Sequence, residues 1–598
     1  MGQSRLRHQW ANLMQVTGTG LNPVGIARKR AFAAALCITL MIEFNAMPAN
    51  SVTETYVERF LAVWQGSKAL SPARVLIVFF AGLALICGAT AFIGAVPTRI
   101  YGHDIFIPLE NGWRVINGQR PHLDFMSPWG LLWSLISALG LTISRHSVDG
   151  IGYGNAIVAL IVGSWSFFLG KNRLASSPRI ILSFFLAALV AAPYPLGISP
   201  FLSSHAMAYN RYGYALLGLI LLESFEVARG TRDSHAARWI GGISTGAALS
   251  LTLFLKASYF LMAVFLIGVI SLFVWRFTRQ RILGIILGFS SVSTCMLAYL
   301  RFDVAAMLGD LRMAAGARAE AIKPKILILN TLDHTSVLLG VVLFGFAAAL
   351  LLGNRAPQWR GLKLPIIGAF FFAADSGLMS TNAQVDGFPL CAVFAILVVS
   401  EITGDQQALP AAQARPYRPL YSAVLCLGAL LFVPQFTGDV AGLAYGAWRK
   451  ERPSTPAAVL RFTLPDLKPL LLYDGAPPRS NGSVLTTYVN DGVALLERET
   501  RPNETILTMD MTNPFPYALE RRPPRGGILS PSYHYNISDG HRPSDDRYFG
   551  DADIVMVPKR PALDDMYYTD FYKAYEPGLK QRYNLAAETS WWWMYRRK

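Results

Sequence analysis

Charge is what this sequence has least of: of its 598 residues only 15% are Asp, Glu, Lys or Arg, while 53% are hydrophobic. A soluble chain carries nearer a quarter charged residues, so a water-soluble globule is excluded and a polytopic membrane protein is expected. Cysteine is scarce too. Its five positions, Cys37, Cys87, Cys295, Cys391 and Cys426, all fall in apolar stretches and none in the polar C-terminal part, so neither a disulfide framework nor a zinc spacing can be drawn. A P-loop, a Rossmann glycine fingerprint and a His/Cys metal cluster are all missing, which removes nucleotide hydrolysis as a driving reaction. No cofactor is called for, although room remains for a divalent cation. The net charge of +16 would point to nucleic acid in a soluble chain. Here the Lys and Arg residues cluster in short loops between apolar runs, where they orient helices, and no nucleic-acid partner is expected.

What is there in quantity is apolar runs. Those suited to crossing a bilayer cover 75–96, 152–170, 180–196, 212–225, 239–255, 257–275, 283–300, 337–353, 365–379, 389–402 and 421–436. An earlier piece, AFAAALCITLM, follows Arg28, Lys29 and Arg30 but is ended by Glu43; it is too short to span, and no small-residue cleavage site follows it. The run 128–141 is ambiguous in length, and charge decides it. If it does not cross and the N-terminus is cytoplasmic, the loops holding Lys171 and Arg179, Arg229 and Arg238, Arg276 and Arg281, Arg355 and Lys363, and Arg415 and Arg418 all fall inside. The run is therefore read as a juxtamembrane helix at the outer interface, with Trp129 and Trp133 in the headgroup zone.

The expected fold class is thus an α-helical polytopic membrane protein of about eleven spans with a C-terminal α/β soluble domain. Residues 1–74 form a cytoplasmic segment, 75–436 the membrane domain with an outer loop at 98–151, and 437–598 the extracytoplasmic domain. Within the last, TILTMDM and ADIVMVP read as strands, and DGVALLERET and DDMYYTDFYKAYEPGLKQRY as helices. The closing WWWMYRRK reads as core or interface packing ahead of a sugar-binding face.

The chemistry concentrates in YGHDIFIPLENGWRVINGQRPHLDFMSPWG, residues 101–130, directly after the first span. Pro108 suits a first helical turn and Asn117-Gly118 a stop, so PLENGWRVING is a short interfacial helix with Leu109, Trp113 and Ile116 on one face. Asp104 sits just ahead of its positive end. It is read either as a helix cap or as a general base. Asp124 binds acceptor, orients the loop or caps the next turn. Lys256, between two apolar runs, either snorkels or holds an anion. Arg211, at the outer mouth of a span, either anchors the interface with Tyr209 and Tyr212 or pairs with the same anion. His205 is an outer-loop histidine and a weaker candidate for substrate binding. The segment 301–325 either covers a ligand or is a solvated helix, and Asp375, inside an apolar run, needs a partner or a wet cavity.

Asp104, Gly118, Pro121, Asp124 and Phe125, followed by SPWG and an apolar helix, resemble the first outer loop of the polytopic GT-C glycosyltransferases, which include the protein mannosyltransferases and the lipid A aminoarabinose transferases. Members often show Asp-Glu at the first position, where this chain has Asp104-Ile105. The resemblance implies transfer of a hexose or pentose from a polyprenyl-phosphate donor to a hydroxyl of a glycan, lipid or protein acceptor, at the outer face of a bacterial inner membrane. Asp104 would be the base of an inverting displacement, and Lys256 would hold the phosphate. A secondary transporter and a non-catalytic envelope assembly protein are the alternatives; the first would show broken helices near the midplane and a repeat.

Overall fold

The computed structural model describes residues 71–225, 234–274, 277–321, 324–353, 359, 361–382, 384, 386–405, 418–452, 461–473, 482–561 and 565–598. The N-terminal segment, including AFAAALCITLM, falls almost wholly outside them. The first helices are α1 (Pro72–Ile93), α2 (Phe106–Ile116), α3 (Leu131–Ile143), α4 (Gly150–Leu169), α5 (Ser176–Ala191) and α6 (Ala208–Ser224). They are followed by α7 (His235–Leu255), α8 (Ala257–Phe273), α9 (Arg279–Tyr299), α10 (Val304–Ala321), α11 (Pro324–Asp333) and α12 (Thr335–Leu352). The bundle closes with α13 (Lys363–Asn382), α14 (Pro389–Asp405) and α15 (Arg418–Glu451).

Each expected apolar run lies on one of these helices. Six helices among the described residues are long and apolar enough to cross a membrane, namely α1, α4, α9, α12, α13 and α15, and further apolar helices are shorter. This is a multi-pass integral membrane protein. Leu76, Ile77, Leu85, Leu272, Leu287 and Leu350 leave large apolar side chains on the outside of the bundle, as a chain solvated by lipid does and a water-soluble one does not.

Helix α15 runs well past Phe436, where the membrane part was expected to end, and it continues through Pro434 to Glu451. The continuation is packed on protein. A Cβ on Gly442 would come within 2.6 Å of the Tyr194 ring, and Asp439 lies fully buried against Arg211.

After α15 come α16 (Gly482–Glu499), the short α17 (Phe515–Ala518) and α18 (Asp545–Phe549), and α19 (Asp565–Arg582). The strands are β1 (Ile506–Thr508), β2 (Ile554–Pro558), β3 (Tyr583–Glu588) and β4 (Trp592–Arg597), in the order β1-β2-β4-β3. β1 and β2 are parallel, with Ile506 opposite Ile554, and β4 runs antiparallel to both β2 and β3. The two strands read from sequence are the fully buried pair, which leaves continuous apolar runs. β4 alternates instead: Trp592 and Met594 are buried, and the Trp592 indole donates to the Tyr488 carbonyl at 2.9 Å.

The C-terminal α/β domain is seated on the loop that follows α1. α2 was expected to turn its polar side to water, but residues 106–114 are all buried. The Arg114 guanidinium donates to Glu110 Oε1 (3.0 Å), Gln119 Oε1 (2.9 Å) and the Pro524 carbonyl (2.9 Å), and Trp113 Nε1 donates to the Arg521 carbonyl (2.7 Å). Burial pushes the Glu110 carboxyl up, against the pull of Arg114. A buried pair of this kind is tolerated because nearly all its polar atoms find partners. The juxtamembrane helix α3 differs from expectation as well. Trp129 and Trp133 are buried against one another and Tyr209, where headgroup anchors would face outward.

Candidate functional site

The chain enters the loop after α1 through Tyr101, in the left-handed region at φ 53°, and makes a 3-10 turn over Gly102–Ile105. This turn carries Asp104, which is 9% exposed. Its Oδ1 lies 2.7 Å from His103 Nε2 and has no hydrogen-bond partner among the described residues. Residue Ile105 occupies the cap position of α2 and no side chain caps there. The carboxylate of Asp104 is therefore not spent on the helix end, which was its ordinary structural explanation.

Lys256 sits at the one extended residue between α7 and α8, at φ −167° and ψ 129°. At this break Lys256 Nζ lies 5.0 Å from the centre of the Tyr209 ring. Loop and break are held together by Gly130, whose amide donates to the Leu255 carbonyl at 2.9 Å. A Cβ on Gly130 would come within 2.0 Å of the Phe254 carbonyl oxygen, so only glycine permits this approach. Desolvation, with Arg318 nearby, pushes the Lys256 ammonium down to about 7.

Arg318 comes from α10, within the basic segment 301–325 that the sequence left as either a ligand cover or a solvated helix. It donates to the Ser380 carbonyl at 2.8 Å, and its guanidinium carbon lies 3.8 Å from the centre of the Tyr535 ring in the soluble domain. Asp104, Arg318 and Tyr535 are all close enough to act electrostatically on the Tyr209 hydroxyl. Trp129 and Trp133 wall Tyr209, the Lys256 ammonium stands over its ring, and Asp104 and Arg318 lie within electrostatic reach of it. Among the described residues neither Lys256 nor Arg318 has a carboxylate partner. Such a site suits an anion beside a base. No group of three or more His, Cys, Asp or Glu side chains that could hold a metal occurs among the described residues.

The other candidates have structural partners. Arg211 donates through Nε to the Tyr194 carbonyl and through Nη1 to the Leu189 carbonyl and Asp439 Oδ1, each at 2.8 Å. It joins α6 to the extension of α15. Arg211→Gln should accordingly destabilise the protein by about 3–5 kcal/mol, the usual effect of breaking a buried pair, seen as a lower unfolding midpoint in detergent. Donor affinity of the folded fraction should stay unchanged.

His205 accepts from the Val96 amide (3.2 Å) and lies 2.8 Å from the Gly94 carbonyl, both through Nε2. Burial pushes it down to about 4, so it is neutral. It fastens the loop between α5 and α6 to the end of α1. Asp124 accepts from the Arg120 amide at 2.8 Å and lies 3.6 Å from the exposed Arg525, which is the turn-capping role. Asp375 finds its partner at the start of α14, where Leu390 and Cys391 donate their amides at 3.3 and 3.1 Å.

Sequence reading missed His103, Arg318 and Tyr535. Adjacency to Asp104 was a signal for the first. Arg318 is one of several basic residues on its segment, and Tyr535 is distant in sequence, so neither carried a local mark.

No protein-family model matches the chain, and no curated protein matches it. Among solved structures, it is similar to ArnT from Cupriavidus metallidurans bound to undecaprenyl phosphate, at 11% identity and TM-score 0.41 over 88% of this chain and 98% of that one. It is similar to the oligosaccharyltransferase AglB from Archaeoglobus fulgidus in complex with an inhibitory peptide and a dolichol-phosphate, at 11% identity and TM-score 0.35, over 86% and 74% of the two chains. A third likeness is to the arabinofuranosyltransferase AftD from Mycobacteria, at 11% identity and TM-score 0.35 over 88% and 40%.

Proposed function

We propose that the protein is an integral-membrane glycosyltransferase that moves a sugar from a polyprenyl-phosphate donor to an acceptor hydroxyl at the outer face of the membrane. The observation that carries this reading is the gathering of Asp104, Lys256 and Arg318 around Tyr209, at the loop whose Asp104, Gly118, Pro121, Asp124 and Phe125 resemble the GT-C pattern.

Lys256 and Arg318 hold the donor phosphate, and their charge stabilises it as the glycosidic bond breaks and negative charge grows on the leaving oxygen. Asp104 takes the proton of the acceptor hydroxyl as that oxygen attacks the anomeric carbon. A single displacement of this kind inverts the anomeric configuration and needs no second carboxylate as nucleophile. The aromatic walls of Trp129, Trp133 and Tyr535 exclude water from the reacting bond. The transporter alternative drew on the many spans and on Asp375, and the amides of Leu390 and Cys391 at the start of α14 supply partners for that residue.

Transfer from radiolabelled polyprenyl-phosphate sugars to envelope acceptors in membrane vesicles tests the reading. Label should reach acceptor only on the vesicle face that bears the soluble domain. Absence of transfer across hexose and pentose donors would overturn it.

A further inference from the structure

The site is assembled from three separate parts of the chain, and one buried carboxylate joins them. Asp310 of α10 is fully buried, although it stands on a helix whose neighbours Leu308 and Gly309 face outward. Its Oδ2 accepts from the Ser127 amide at 3.1 Å and lies 3.0 Å from His122 Nδ1, both in the loop after α1. Its Oδ1 lies 2.6 Å from Arg547 Nη2, in α18 of the soluble domain. The same Arg547 nitrogen donates to the His122 carbonyl at 3.1 Å, which closes a ring of three residues. The backbone of His122 lies in the left-handed region at φ 70°, a conformation that its surroundings must hold.

Two of these contacts lead directly to the site. Ser127 Oγ bonds both the amide and the carbonyl of Trp129, which packs on Tyr209. Asp310 also precedes Arg318 by two turns on the same helix. We infer that Asp310, with His122 and Arg547, is a positioning cluster that sets Trp129 against Tyr209 and Arg318 against Tyr535, so that docking of the C-terminal domain through Arg547 completes the donor-phosphate site. The inference rests on the glycosyltransferase reading for its kinetic consequence, but not for its structural one.

The physical reason for a charged keystone lies in its replacements. An amide at this position would present N–H groups to donors, and a shorter apolar group would leave Arg547 buried in part without its anion. α10 has few fully buried apolar residues, Met307 and Ala317 among them, and its other polar ties, Arg318 to Ser380 and Tyr535 and Glu320 to His541, lie toward its C-terminal end.

The test uses the full-length chain in lipid. In Asp310→Asn, and in Arg547→Lys should the first fold poorly, hydrogen exchange over 304–321 should rise by on the order of tenfold or more, while exchange over 72–93 stays unchanged. Unchanged exchange over 304–321 in a folded variant would overturn the inference, whatever the activity. Donor KM should rise by on the order of tenfold with a smaller change in kcat, and Asp310→Asn combined with Arg318→Gln should lose clearly less than the sum of the two single losses. Additive losses would show that Asp310 acts elsewhere. A wild-type protein that transfers no sugar would defeat the proposed function alone, leaving the exchange result to decide the positioning role.

Discussion

Asp104→Asn should lower transfer by roughly 10²- to 10⁴-fold, the range lost when a general base is removed, while donor binding persists. The substitution keeps the size and much of the hydrogen-bonding capacity of the side chain and removes only its ability to take a proton. The structure sharpens the comparison with the ordinary alternative, because asparagine caps a helix about as well as aspartate does and Asp104 caps nothing among the described residues. A purified, lipid-reconstituted Asp104→Asn protein that retains full transfer would remove this residue from the mechanism. Asp124→Asn serves as the internal control, since Asp124 meets the Arg120 amide and Arg525 and should change turnover far less.

Lys256→Met should weaken donor binding by roughly 10- to 100-fold, corresponding to the about 1.5–3 kcal/mol of a hydrogen bond to a charged group. The pH dependence gives a second signature. Lys256 is pushed down to about 7 by desolvation and Arg318, so in the free protein it is charged below that value and neutral above it. A phosphodiester donor keeps one negative charge across this range, so any change in affinity belongs to the protein. Affinity should be level below about pH 6, fall as pH rises through about 7 and level off once the ammonium is lost. In Lys256→Met that step should vanish. Equal donor affinity of the two proteins at pH 6 would retire the phosphate role and leave a snorkelling lysine.

The Arg211 result illustrates where a local reading stops. A cation at the outer mouth of a span looks the same in sequence whether it faces a ligand or a partner, and Asp439, its partner, lies on the helical extension beyond Phe436. The sequence contained both residues but no sign that α15 would carry one to the other. Lys256 was legible because a lone charge between two long apolar runs has few places to go. Asp104 was legible because it stood among a quoted set of loop residues, although only the structure freed it from the cap role. Arg318, Tyr535 and Asp310 were not legible as site residues, since their significance is one of proximity.

The sequence by itself determined the membrane character, the positions of the apolar helices, the break at Lys256 and the presence of two strands in the C-terminal part. Each follows from hydropathy and period, which are local quantities. The tertiary structure alone decided that α2 and α3 bury their polar and aromatic sides, that the C-terminal domain is seated on the loop after α1, and that Asp310 ties them together. The physical reason is that a buried polar group is stable only with its partners in place, and for Arg114, Arg211 and Asp310 those partners lie hundreds of residues away in sequence.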